Sequence, residues 1–342
     1  MTRTKKTPSK NISIEDVARL AGVSITTVSR VINKFPSVKE KNRVMVMDAV
    51  KQLKFQPSVF AQRLATGKSN VISLVIPRYE GVFYSFYALE LIRGIGTLCA
   101  VLKLDLLLQL TDSRSSLNVR GAGGIIFADI ISNRQQVEEA VAQGIPCVVI
   151  NNYVKDLPVS CFAINNAAGA EEAVDYLASL GHKKIAHITG DVITQAASDR
   201  LEGYKRSLKK NNIPLNEEYV VKTDYSRGHA RAASEKLLKL PNPPTAIFVG
   251  SDSMALETIT VAKELGKEIP KDLSIVGFDD NPSGLYGPVS LTTVRQPLIK
   301  MAEESVKELN RLMTEKGAKV KKVVLPTELV IRESTGGPAS KD

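Results

Sequence analysis

The chain has 342 residues, 43% of them hydrophobic, with 46 Lys and Arg against 36 Asp and Glu. That length allows two or three domains, and the composition is ordinary for a globular protein with a real core. No run of 18 apolar residues occurs, which excludes a transmembrane helix; the basic start MTRTKKTPSKN leads into no apolar signal region, so the expected address is the cytoplasm.

The net charge of +10 is confined to the front of the chain. Residues 1–68 hold 14 Lys and Arg against 4 acids, and the remainder holds 32 of each. This asymmetry points to a polyanion-binding head on a neutral body. The basic residues are interleaved with helically spaced apolar ones, which favours a folded nucleic-acid binder.

Ser13 precedes Ile14, Glu15 and Asp16, so a side-chain oxygen and early acids serve the free N–H groups of a first helix. Its Ile14, Val17, Ala18 and Ala21 share one face. Gly22 suits a tight turn because it accepts positive φ. Ser24 then caps a second helix, SITTVSRVI, which buries Val28, Val31 and Ile32 and turns Ile25, Thr26, Ser29 and Arg30 outward. Helix, tight turn and helix make a helix-turn-helix. The second helix of such a unit lies in the major groove, where hydroxyls reach phosphates and base edges and Arg30 takes guanine O6 and N7 in a two-bond fork. Ser37 and Glu40 have capping-box spacing and are expected to open a third helix that carries Val44, Met47, Val50 and Leu53. Residues 57–68, PSVFAQRLATGK, are too short and polar to hold a core and read as a linker that is helical when bound.

From residue 70 the texture changes. Apolar runs VISLVIP, DLLLQL, GGIIFADI, PCVVINN, KIAHITG, YVVKTD, AIFVGSD and LSIVGFDD alternate with helical patterns near 86–102, 133–143, 168–180, 198–211, 228–239 and 253–265. Continuous apolar runs punctuated by helices signal parallel strands covered on both faces. At least eight such strands imply two α/β sheets in tandem, doubly wound. Ligands in such folds sit outside the carboxyl ends of the strands. The polar strand ends are Asn151, Asn152, Thr189, Gly190, Asp224, Ser251, Asp252, Asp279 and Asp280. An enzyme finds little support: no G-x-S-x-G, P-loop or H-E-x-x-H occurs, and His182, His187 and His229 are isolated. Cys99, Cys147 and Cys161 show no zinc spacing and read as buried small hydrophobes. No metal and no cofactor are expected.

The run IEDVARLAGVSITTVSRVIN resembles the head of the lactose-repressor and purine-repressor family of bacterial transcription regulators. The likeness continues in order through the hinge PSVFAQRLA and through GIPCVVINN, DRLEGYKRSL, PTAIFVGSDSMAL, LSIVGFDD, LTTVRQP and LPTELVIREST, and spans nearly the whole chain. It implies an all-α three-helix head over 1–56, and a hinge helix and linker over 57–69. A periplasmic-binding-protein-like body follows over 70–335, made of two Rossmann-like doubly wound subdomains. One takes about residues 70–165 and 295–325, the other about 166–294 and 326–335, ahead of a tail at 336–342.

The resemblance also implies roles. A homodimer presents two heads to the half-sites of a near-palindromic DNA operator. Ile25, Thr26 and Arg30 match the positions that choose bases, and Ser24, Thr27, Ser29 and Asn33 match phosphate or supporting contacts. Leu64 matches a leucine wedged into the minor groove, with Ala61 beside it; such a wedge unstacks a base step at about a few kcal/mol and bends the duplex. Arg200 and Asp279 match residues that clamp the effector in sugar- and purine-binding members, since a guanidinium fork and a carboxylate hold vicinal hydroxyls or ring nitrogens. The competing places are a helix-surface arginine paired with Glu202 or Asp199, and a cap for Asp279, a job that Asp280 or Asn281 can take. Tyr225 matches an aromatic platform. Asn151 stands where Asp is common, and Ser251 where Asn is common. Phe83, Tyr84, Phe86 and Tyr87 follow the first body strand, with Tyr84 the candidate to line the cleft and the core the alternative. The chain between TDS and GGIIF is shorter than the family pattern, which implies a truncated second helix in the first subdomain. The implied function is a repressor controlled by a small-molecule effector, first a sugar or sugar derivative. The alternatives are a purine or nucleoside effector, and a global carbon regulator with a phosphoprotein corepressor. No membrane partner is implied.

Overall fold

The computed structural model describes residues 12–33, 35–55, 69–79, 82–112, 117 and 121–339. The expected hinge, with Ala61 and Leu64, lies outside the described residues, as does most of the shortened segment. The chain divides into two compact units, Met1–Asn70 and Val71–Asp342.

In the first unit, α1 (Ile14–Ala21) opens with a capping box. The Ser13 hydroxyl accepts from the Asp16 amide at 3.4 Å, and the Asp16 carboxylate accepts from the Ser13 amide at 3.0 Å. Gly22 ends the helix at φ 62°, where a side chain would strain the backbone. Ser24 then caps α2 (Ile25–Ile32), accepting from Thr27 at 3.2 Å. Val17, Val28, Val31 and Val46 form the centre of a small core.

The third helix departs from expectation in start and in phase. Residues 36–37 form a turn, and α3 (Glu40–Leu53) begins with Lys39 at its cap and no side-chain cap bond, so Ser37 and Glu40 form no capping box. Val46 and Ala49 are buried, whereas Val44 and Met47 are 52% and 51% exposed. The reason is geometric: steps of three residues drift about 60° each around a helix of 3.6 residues per turn. Val44 therefore lies opposite Leu53. The set at 46, 49, 50 and 53 alternates steps of three, one and three and stays on one face.

The second unit runs β1 (Val71–Pro77), α4 (Phe86–Leu102), β2 (Asp105–Thr111), β3 (Gly124–Ala128), α5 (Arg134–Ala142), β4 (Cys147–Ile150), β5 (Ser160–Ile164), α6 (Asn166–Ser179) and β6 (Ile185–Ile188). It continues with α7 (Gln195–Lys210), β7 (Val220–Val221), α8 (Arg227–Leu238), β8 (Ala246–Val249), α9 (Asp252–Glu264), β9 (Ser274–Asp279), β10 (Thr292–Arg295), α10 (Leu298–Thr314), β11 (Lys322–Leu325) and β12 (Glu328–Val330). Two six-stranded sheets result, ordered β11-β5-β4-β3-β1-β2 and β12-β10-β9-β8-β6-β7. Every pairing is parallel except β10 with β12. The chain passes between the sheets after β5, after β10 and after β11.

β1 is buried at all seven positions, as a strand covered on both faces should be. β2 is not: among the described residues it pairs with β1 alone, and Leu107 and Leu108 are exposed at the sheet edge. The described residues between β2 and β3 contain no helix. The three cysteines are buried, and burial pushes the Cys147 thiol up to about 12. His182 is a buried brace, with Thr245 at 2.9 Å and the Gly336 carbonyl at 2.8 Å.

Candidate nucleic-acid interface and ligand cleft

The outer face of α2 is built by anchoring its inner one. Val28 and Val31 are buried, which leaves Ile25 46% exposed and Thr26 and Arg30 in solvent. Ser24 and Thr27 join hydroxyls at 2.9 Å, and the Asn33 amide donates to the Ser29 carbonyl at 2.9 Å. Those four residues shape the two ends of the helix, while Ile25, Thr26 and Arg30 form the unspent surface between them. No acid sits in the first turn of α2, so its partial positive charge remains open to a phosphate.

In the second unit, the carboxyl ends of strands from both sheets assemble one polar cluster. Arg200, on α7, is buried. It donates from Nε to Asn166 at 2.8 Å and from Nη1 to the Gly250 carbonyl at 2.6 Å, and its guanidinium lies 3.7 Å over the Phe278 ring. It is no surface arginine: Glu202 pairs instead with Arg206. Asp279 ends β9, and the Gln296 amide, just past β10, donates to it at 2.6 Å. The capping role falls to Asn281, which accepts from Ser283 at 3.0 Å. Burial raises the Asp279 pKa, and Arg200 and Gln296 pull it back. Asp252 lies behind it, wholly buried; burial and the Asp279 charge raise its carboxyl well above the usual range.

The first sheet contributes a matching pair. Asp129 follows β3 and Asn151 follows β4, and the Asn151 amide donates to both Asp129 oxygens at 3.1 and 3.2 Å. Burial pushes the Asp129 carboxyl up to about 6, against Asn151, Tyr87 and Arg200. Arg200 thus acts on a carboxylate from each sheet. A second bridge joins the two sides: the Gln195 side chain accepts from the Tyr153 amide at 2.7 Å.

Tyr225 is half-buried and packs over Gly190, where a Cβ would come within 1.9 Å of its ring. Asp129, Asn151, Tyr225, Asp279 and Asp280 all hold positive φ, at 81°, 67°, 68°, 133° and 58°. Such strain in non-glycine residues concentrates at ligand sites. Ser251 is buried, but its hydroxyl caps α9 by accepting from Met254 at 3.4 Å. Tyr84 is 92% exposed and makes no ring contact or hydrogen bond with the cluster. The aromatic rings whose hydroxyls feel the Asp129 charge include Tyr79 and Tyr87, as well as Tyr225. Asp129 and Gln296 were missing from the sequence candidates. Asp129 stands directly after GGIIFA as Asp279 ends LSIVGFD, and that parallel is the signal that finds it.

The description "Bacterial regulatory proteins, lacI family" matches residues 13–58, and "Periplasmic binding protein-like domain" matches residues 174–335. The HTH-type transcriptional regulator DegA of Bacillus subtilis (strain 168) is 35% identical over 334 residues, 94% of this chain and 98% of that protein. The lac repressor dimer bound to operator and the anti-inducer ONPF is similar at a TM-score of 0.83 and 26% identity, covering 96% of this chain and 100% of that one. A complex of the transcriptional regulator CelR with cellobiose is similar at a TM-score of 0.72 and 27% identity, over 94% and 99% of the two chains.

Proposed function

The chain belongs to the lacI family of bacterial regulatory proteins, and from that premise we propose that it represses transcription in the cytoplasm under control of a sugar or sugar derivative bound in the body. It is a DNA-binding transcription regulator with a helix-turn-helix head and a periplasmic-binding-protein-like body. No helix among the described residues is long and apolar enough to cross a membrane.

The observation that carries the ligand reading is the strand-end cluster itself. Arg200 holds a carboxylate from each sheet within its field. A ligand seated among them contacts both sides at once, so it favours one relative placement of the two sheets over another. Coupling then follows as a free-energy difference between two states of the protein. Asp129 and Asp279 serve as acceptors for the ligand and the protein catalyses no reaction.

At the head, Arg30, Thr26 and Ile25 read bases, and Ser24, Thr27, Ser29 and Asn33 support or contact phosphates. The homodimer places two such helices on a near-palindromic site. Selection of binding sites from random duplex DNA tests this reading. The expected result is a near-palindromic consensus; enrichment of no sequence would refute it.

A further inference from the structure

The cluster repeats one device on two sheets. In each, an acid at the end of one strand accepts from the amide of a residue just past the neighbouring parallel strand: Asp129 from Asn151 beyond β3 and β4, Asp279 from Gln296 beyond β9 and β10. A carboxylate admits only the N–H end of such an amide, so the oxygen end is turned away. Asn151 and Gln296 are each more than nine-tenths buried, and Asn151 Oδ1 and Gln296 Oε1 have no hydrogen-bond partner among the described residues. A buried polar atom left in that state is unfavourable, and a bound group that donates to it removes the penalty.

The cluster is therefore rich in acceptors: two carboxylates and two orphaned amide oxygens. The donor side is Arg200, whose Nε and Nη1 are already engaged and whose Nη2 makes no hydrogen bond among the described residues. A phosphate or carboxylate satisfies Nη2 but donates nothing to four acceptors and meets two like charges. An ammonium satisfies acceptors but accepts nothing from the guanidinium beside it. A hydroxyl does both.

We propose that the cleft selects an uncharged polyhydroxylated ligand, and that the Asp129–Asn151 and Asp279–Gln296 pairs exclude phosphorylated and carboxylated sugars. This rests on the reading of the cleft as the effector site.

The test is thermal melting and titration calorimetry of the full chain with neutral hexoses and disaccharides. Each is measured beside its 6-phosphate, its uronate and its amino analogue. The expected result is that a neutral sugar raises the melting temperature while its anionic forms bind about 10- to 100-fold more weakly. An anionic or amino form that binds as tightly as its neutral parent overturns the proposal. No response to any compound removes the effector reading itself, and this proposal with it. Asp129→Asn is isosteric and keeps a partner for Asn151. It should narrow the ratio of neutral to uronate affinity by about tenfold; an unchanged ratio in Asp129→Asn and in Asp279→Asn would place the selectivity elsewhere.

Discussion

Ile25, Thr26 and Arg30 stand in solvent on one eight-residue helix, whereas Arg200 is buried within α7 and Asp129 and Asp279 are half-buried at strand ends 150 residues apart. The head keeps its chemistry unspent until DNA supplies the partner. The body has already desolvated its charges and offsets them against one another, so its side chains work by being held. Changes to the outer face of α2 should therefore alter recognition without stability, and changes to the body's cluster should alter both.

The largest expected effect breaks the body's charge balance. Arg200→Ala removes a buried guanidinium, strips Asn166 and the Gly250 carbonyl of their donor and takes the cation away from two half-buried carboxylates, and each buried polar group left unsatisfied costs about 1–3 kcal/mol. Its melting temperature should fall by several degrees and ligand binding should vanish, as calorimetry can check. A full ligand response in that variant would show that Arg200 is a scaffold residue only.

Next comes Arg30→Ala. Loss of one base-reading fork should relax preference at a single operator position by about 1–3 kcal/mol, with an unchanged melting temperature. Equal weakening on every sequence, read by competition binding, would instead make Arg30 a phosphate contact.

A similar magnitude is expected from pH. Asp129 titrates near 6 in the folded chain, above the ordinary carboxylate value, so the folded state holds this proton more tightly than the unfolded one. Stability from this group is present at low pH and is lost as pH rises from about 4 through about 6. Asp129→Asn should remove that slope and raise stability above pH 6 by on the order of 1–3 kcal/mol. Denaturant unfolding at pH 4.5 and 7.5 checks the sign; a variant less stable at 7.5 would contradict it.

The smallest effect sharpens the phase of the third helix. Val46→Ala should cost about 1–2 kcal/mol, because its side chain fills the head core. Val44→Ala, on the opposite face, should fall within about 0.5 kcal/mol of no change. Urea unfolding of the two variants decides which valine is inside.

The same contrast explains what was legible in the sequence. α2 was readable because its caps, its buried valines and its outer face lie within ten residues, and local spacing determines all of them. α3 was misphased because VMVM offers an apolar residue to every side, and only Ala49 and Leu53 select the face. In the body, the alternation of runs and helices revealed two parallel sheets, yet β10 (TTVR), β11 (KVVL) and β12 (ELV) mix Thr, Arg, Lys and Glu with few apolar residues and do not stand out as apolar runs. Arg200, Asp279, Tyr225 and Asn151 gather in one cluster. Ser251 spends its hydroxyl on a helix cap, and Tyr84 stands in solvent. Asp129 escaped notice because GGIIFADI reads as a strand running through it. Its importance comes from Asn151 and Arg200, neither of which is near it in the chain.

The central claim is that a ligand held by the body's buried charges controls what the head does with DNA. The most direct measurement is operator affinity by fluorescence anisotropy, with and without a ligand identified by melting, in the wild-type chain and in Arg200→Ala. A ligand-induced change of about 5- to 150-fold in operator affinity, absent from Arg200→Ala, is the expected result. A ligand that saturates the body and leaves operator affinity unchanged would contradict the claim.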